Sequence, residues 1–323
     1  MSNGEPMPKY AELPIVDGGR SGWHVFGSAD QVGRLNLQTP ARVAAAAALV
    51  RSGEVFPLDA SLTAFDPPMF GRGPARHSLI DGGTECDFDD QLDEYNPQAS
   101  SQWDSLAHVG FAPNVFYNGT TADEVRRGER NTIDHWARRG IAGRAVVIDI
   151  DAVYRARSQD YNPGETTRIT VGDLEEARTI AGVAWEPGDV MLLHTGYLAW
   201  YAHQGETAKQ AMADPDTDNL TSVGLDRGSE MLEYLWDSGI SAIVADNPAV
   251  EAMPFDVSDA AWPNGFMHHR LIGQLGFALG ELWSLADLAR ACRTDGRYTA
   301  LLASAPNNIP GAVSSPANAL AIR

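Results

Sequence analysis

The feature that most constrains this chain is an alternation, starting near residue 130, of helical stretches with short apolar segments rich in β-branched residues. Ala145–Ile150, Val190–His194 and Ala242–Ala245 read as buried strands. Asp134–Arg139, Val171–Gly182 and Arg227–Asp237 read as helices, the second opening behind a Thr170/Glu175 capping region. Short buried strands separated by helices indicate an α/β domain built on a mixed or parallel sheet.

Upstream the pattern is looser. The first forty residues are rich in Pro and Gly and are expected to wrap a surface. Thr39-Pro40 then reads as an N-cap with Pro at the first helical position, for a helix from Ala41 to about Arg51. From Phe56 to Asp104 turn-formers dominate: Asp66-Pro67-Pro68, Gly71-Arg72-Gly73-Pro74, Asp81-Gly82-Gly83 and the acidic Asp87 to Asp90. Long irregular segments of this kind are commonly functional. Length allows one domain or two and no linker forces a split, so residues 1–55 are expected to form an extension and helix packed on the region spanning 56–323.

Charge excludes one class of partner. With 24 Lys and Arg against 43 Asp and Glu, the chain carries −19. Its local basic pairs, Arg126-Arg127 and Arg138-Arg139, lie among acids, so a groove for nucleic acid is not expected. The longest strongly apolar stretch, Val43 to Val50, falls well short of the ~20 residues that cross a bilayer, so no membrane span is expected. Met1 to Glu5 shows no basic or apolar leader pattern, and Cys86 and Cys292 make no disulfide framework. A cytoplasmic protein with reduced thiols is the simplest expectation.

No Gly-x-Gly-x-x-Gly after a strand, Walker loop, Gly-x-Ser-x-Gly elbow or His-Glu-x-x-His occurs. Metal-competent side chains instead concentrate in two places: Gln98, Gln102, Asp104 and His108, and His268-His269 with Glu281. The first four fall on even positions, so an extended chain would project them from one face. At ~3.3 Å per residue Asp104 and His108 would then stand ~13 Å apart, too far to grip one ion. A helix or a bend would bring both within reach. The reading favoured is Asp104 as ligand and His108 as proton-transfer group, against Asp104 as a helix cap and His108 as a buried histidine. Glu281 interrupts an apolar run and must have a cation or donor, an ordinary bridge to Arg270 being the plain alternative. Trp103 could floor a substrate pocket or simply pack. Asp246-Asn247-Pro248 ends a strand, where α/β folds bind ligands, or makes a turn. His24, His77, His135, His194 and His203 stand singly and read as structural or solvated.

Over nearly the whole chain the sequence resembles the cyclase family that includes bacterial kynurenine formamidase and isatin hydrolase, particularly its longer members. The matching segments are Phe26 to Leu37, Ser100 to His108, Phe116-Tyr117-Asn118-Gly119, Gly140 to Arg144, Gly188-Asp189-Val190, Ala245 to Pro248, His268 to Leu285 and Ser315 to Leu320. The family's metal motif is H-x-G-T-H-x-D-x-P-x-H, whose first two histidines and aspartate bind the ion and whose last histidine serves catalysis. Asp104 and His108 occupy the last two of those roles. Gln98 and Gln102 stand in place of the two histidines, and Leu106 in place of the proline. The downstream histidine corresponds to His268 or His269, and the glutamate to Glu281.

The resemblance implies a swivelling β/β/α fold in one domain, assembled as a homodimer or larger. It implies one divalent ion, Mn²⁺ or Zn²⁺, held by Asp104, His268 or His269, Glu281 and Gln102, with Trp103, Gln98, Asp246 and Asn247 about a small-molecule substrate. The leading function is metal-dependent hydrolysis of a carbon–nitrogen bond in a small amide or lactam. The alternatives are lactone, cyclase or lyase chemistry at the same site, or a ligand-binding relative that has lost catalysis.

Overall fold

The computed structural model of the protein describes residues 7–84, 86–258 and 260–323, so the Met1 to Glu5 reading lies outside the described residues. Its centre is a nine-stranded mixed sheet. We number its strands in chain order: β1 Val55–Pro57, β2 Gln102–Asp104, β3 Ile141–Asp149, β4 Val190–His194, β5 Ala242–Ala245, β6 Ala278–Glu281, β7 Thr299–Ser304, β8 Ser314–Pro316 and β9 Ala319–Ile322. Across the sheet they run β8-β2-β6-β5-β4-β3-β7-β9-β1. The four central strands β6, β5, β4 and β3 are parallel, and antiparallel strands extend the sheet on both sides.

Three of the central strands, β3, β4 and β5, are the predicted apolar runs, whereas β6 lies in the apolar stretch around Glu281 that was not read as a strand. Every residue of β4 and β5 is buried, because helices Ile150–Arg157, Val171–Ala181, Ser229–Asp237 and Ala286–Asp295 supply the covering layers. β3 begins four residues earlier than predicted, at Ile141, and ends at Asp149, whose carboxylate accepts from Ala152 N and so turns Ile150 into a helix. Thr170 caps the Val171–Ala181 helix as predicted, but its reciprocal partner is Asp173 and not Glu175. Asp173 is the third helical position, from which a side chain reaches back to the Thr170 amide. The first helix is Pro40–Ala47, shorter than predicted, with Thr39 accepting from Arg42 N.

The N-terminal segment wraps the sheet as expected and is pinned by polar groups. Arg34 is fully buried between Trp236 and Phe277, donates to the carbonyls of Ile240 and Trp236, and is lowered to about 9 by that burial. Gly33 has φ +67°, and a Cβ there would fall 2.3 Å from the Gly276 carbonyl, so only glycine admits this seating. Asn118, itself left-handed at φ 59°, donates to the carbonyls of Gly27, Ser28 and Asp30. Those bonds tie together two of the segments that carried the resemblance.

One element in the loop-heavy stretch was not predicted. Arg76–Asp81 and Phe88–Asp93 pair as an antiparallel hairpin, although the acids of the second strand read as loop.

Candidate active site

Strand parity builds the site. In β2, Gln102 pairs with Glu281 and Asp104 with Leu279, so Gln102, Asp104 and Glu281 share one face of the sheet. All three are buried. Trp103 projects from the other face, where it packs edge-on against Trp283 and Trp136, its ring nitrogen donating to Ser304 Oγ. The predicted pocket floor is thus a core residue, because alternation along β2 sends it away from its polar neighbours.

After Asp104 the chain does not stay extended. A turn at residues 105–108, closed by His108 N on Ser105 O, carries the His108 ring back until its Nε2 lies 3.7 Å from Asp104 Oδ1. The ~13 Å separation expected of a straight strand therefore does not hold.

His268 and His269 start a π-helical turn, His269–Gln274, and their rings diverge. His269 turns to the Gly110 carbonyl at 2.7 Å. His268 is the one that enters the site: its Nε2 lies 2.9 Å from Glu281 Oε1 and its Nδ1 2.8 Å from Glu251 Oε1. Glu251, buried and also accepting from Met267 N, is absent from the sequence reading. An acid inside the apolar run Ala249-Val250-Glu251-Ala252-Met253 was the same signal that singled out Glu281. Arg72 was also missed, since nothing in Gly71-Arg72-Gly73-Pro74 marks it. It donates to Gln98 O at 2.6 Å and to Gln102 Oε1 at 3.4 Å.

The two glutamines act as donors. Gln98 Nε2 reaches Asp104 Oδ1 at 2.8 Å, and Gln102 Nε2 reaches Glu281 Oε2 at 2.7 Å and Asp104 Oδ2 at 3.3 Å. Burial, reinforced by the nearby Asp104, raises the Glu281 carboxyl above the usual carboxylate range. Burial alone would lower His268, but its bonds to Glu251 and Glu281 win and push it up to about 10. His108 has no such pair of acids; burial lowers it, Asp104 opposes that shift, and His268 and Arg72 add to it.

Asp104, His268 and Glu281 bring one ligand atom each within 4.8 Å of one another. The donor chemistry fits a divalent ion. Two buried carboxylates face each other, and among the described residues neither forms an ion pair with Lys or Arg; the protonated His268 ring is the cation bonded to Glu281, a place that a divalent ion held by the neutral ring would take over. A second group, Asp149, Asp151 and His194, lies at the ends of β3 and β4, but there Arg293 bonds Asp149 and Arg155 bonds Asp151. That group is closed by arginines. Asp246, expected at the pocket, accepts from Thr195 and Gly196 beside this second group, and Asn247 donates to Val223 O. Neither borders the cavity next to the first group, because the parity that brings Asp246 level with His194 turns it away from Glu281.

That cavity, of about 790 Å³, is lined by His108. Trp262, Phe266, Phe116, Val109 and Val257 supply apolar walls, with His269 at the side. Phe266 stacks on His268 at 4.4 Å with 14° between the rings. A buried polar centre beside an imidazole that also lines an aromatic cavity suits a small, flat, largely apolar ligand.

The model of the family described as "Putative cyclase" matches residues 47–252, close to two thirds of the sequence. The chain belongs to the cyclase family. Among solved structures, this cyclase-family chain is similar to one described as a novel cyclase, with 29% identity, a TM-score of 0.80, and coverage of 94% of this chain and 99% of that one. It shares its fold with isatin hydrolase A from Ralstonia solanacearum, at 20% identity and a TM-score of 0.59 over 87% of this chain and 95% of that one. The isatin hydrolase A from Labrenzia aggregata bound to benzyl benzoate aligns at 17% identity and 0.58, over 86% and 95%. No protein of curated function matches the sequence. The mixed α/β sheet expected from the resemblance is the fold these structures share.

Proposed function

We propose that the protein is a metal-dependent hydrolase of a carbon–nitrogen bond in a small aromatic amide or lactam. The observation that carries the reading is the buried Asp104, His268 and Glu281 donor set beside His108, which also lines an aromatic cavity. Asp104, His268 and Glu281 would hold the ion, with Gln102 able to present Oε1 by turning its amide. A divalent ion held there, Mn²⁺ or Zn²⁺, would supply Lewis-acid activation of water and of a carbonyl.

The chain's own residues supply the rest. The aromatic walls take the ring of the substrate and exclude water. His108, within reach of Asp104, takes a proton and delivers it to the leaving nitrogen. Glu251 fixes the orientation of His268 through Nδ1, as carboxylates commonly do for ligating histidines. The isatin hydrolase named above, which shares this fold, motivates the lactam as the first substrate to assay.

Elemental analysis of the purified protein should find about one divalent ion per chain, and loading should be required for lactam or amide hydrolysis. Absence of Mn, Zn, Fe and Co, together with no uptake on titration, overturns the reading. One observation favours a second: the N–H groups of Gln98 and Gln102 already satisfy three carboxylate oxygens, so the pocket closes as a ligand-binding site without catalysis. Aromatic-ligand binding by metal-free protein, with no turnover after loading, would select it.

A further inference from the structure

A second cleft lies past the carboxyl ends of β3 and β4, lined by Asp151 just beyond the one and by His194 at the end of the other. It holds about 550 Å³ and, among the described residues, shares no lining residue with the aromatic cavity beside His108. Open α/β sheets bind ligands outside the carboxyl ends of their parallel strands, and the volume is that of a small-molecule site.

Donors without partners gather around this recess. Arg155 comes from the Ile150–Arg157 helix, and Arg290 and Arg293, three residues apart on one face, come from the Ala286–Asp295 helix. Each spends one guanidinium nitrogen on a carboxylate: Arg155 Nε on Asp151, Arg290 Nη2 on Asp287 and Arg293 Nη1 on Asp149. A guanidinium carries five N–H groups, and among the described residues the other two nitrogens of each arginine make no hydrogen bond. His194, only 3% exposed, sets Nδ1 against Asp149, while its Nε2 makes no hydrogen bond and stands 3.9 Å from Asp246 Oδ2. Asp151 is the one acid among the described lining residues, and its Oδ1 is already taken by Arg155.

Two aromatic rings complete the lining, and both are fixed. Trp200 sits so close over Gly164 that a Cβ there would fall 2.0 Å from the indole. Tyr161 donates its hydroxyl to Thr195 O at 2.8 Å, and the Arg155 guanidinium lies over its ring, 5.5 Å from the centroid. We propose that this cleft binds a small aromatic carboxylate, gripped by the guanidinium groups, with its ring against Trp200 and Tyr161. A carboxylate matches the paired N–H groups of a guanidinium, and its single charge meets less repulsion from Asp151 than a phosphate dianion would. This inference is independent of the reaction proposed above.

Isothermal titration of the full chain with benzoate, at constant ionic strength, should show saturable binding. Benzamide, which keeps the ring without the charge, and inorganic phosphate should each bind about tenfold more weakly or worse. The Arg290 side chain is exposed and its partner Asp287 lies on the same helix, so Arg290→Glu disturbs little of the fold. That variant should lose about tenfold or more in benzoate affinity, as should Arg155→Gln, the loss of one charge-assisted bond. Circular dichroism and the thermal midpoint without benzoate report whether each variant stays folded. Irradiation of the native chain with 4-azidobenzoate should label peptides within 151–163, 194–203 or 286–293. Absence of saturable benzoate binding, equal affinity for benzamide or phosphate, folded variants that bind benzoate as the native chain does, or label confined to other residues, the walls of the aromatic cavity included, would overturn the proposal.

Discussion

Gln98 and Gln102 show how one side-chain type changes what a site can do. An imidazole nitrogen turned toward two carboxylates must either be protonated or share a metal with them. An amide instead offers N–H groups, and both glutamines use theirs on Asp104 and Glu281. Gln98→His with Gln102→His should therefore tighten Zn²⁺ binding by about tenfold or more, each tenfold being about 1.4 kcal/mol, while slowing turnover as the added ligands fill the position water needs. Isothermal titration and an activity assay on the same preparations check this; if Gln98→Ala alone eliminates binding, the ion sits on the glutamines instead. For His108→Ala, turnover should fall by roughly 10² to 10⁴ while metal content persists. Metal loss alongside activity would make His108 a ligand, a role its 3.7 Å approach to Asp104 brings within reach. At this scale Glu281 was legible because charge inside an apolar run has to be explained, Asp104 because it keeps step with Gln98, Gln102 and His108, and the adjacent histidines only as a pair. The choice of His268 was not, since it depends on which way a helical turn faces. Arg72 comes from a loop whose path only the folded chain defines.

Among the elements, those written by burial were the readable ones. β4 and β5 have the predicted bounds because a run of apolar residues enclosed on both faces admits no other placement. The hairpin went unread because its apolar residues are diluted by Asp81, Asp89, Asp90 and Asp93, and its strand period appears only once the register pairs Leu79 with Asp90 and Phe88 with Asp81. Caps lie between these cases: Thr170 is evident as a helix start, whereas its Asp173 partner is settled by reach. Thr170 Oγ1 accepts from Asp173 N, and the Asp173 carboxylate takes the Thr170 amide and hydroxyl while holding Arg157 and Tyr154. Thr170→Ala should cost about 1 kcal/mol, read as a lower urea midpoint with unchanged slope. Thr170→Ser should recover most of it, and equal losses in both variants would point away from the hydroxyl.

At the scale of the whole molecule, the parallel strands and a covering helix meet at the buried Asp149 and His194, and their ionisation should shape stability against pH. Asp149 Oδ1 lies 2.9 Å from His194 Nδ1, and Arg293, from the Ala286–Asp295 helix, bonds Asp149 Oδ2 at 2.5 Å. Burial alone would raise the Asp149 carboxyl, but the bond to His194, its charge and that of Arg293 outweigh it, so the folded pKa is below the unfolded one. The resulting stability is present above the ordinary aspartate range, near pH 4, and is lost as pH falls through the folded value. His194 moves the other way: burial would lower it, yet Asp149 and Asp246 raise it. Its contribution is complete below about pH 6.5, the unfolded value, and is lost as pH rises through the folded one. Between about pH 4 and 6.5 both terms are in place. Asp149→Asn leaves the shape intact but removes the anion, so the variant should be destabilised by on the order of 3 kcal/mol at pH 5, with the gap closing as the pH falls through the folded value of Asp149. Urea unfolding of both proteins at half-unit steps from pH 2.5 to 8 measures it. A gap that stays constant across the acid limb would mean that Asp149 acts through packing and its helix cap, and that the charge network contributes nothing to holding strands and helix together.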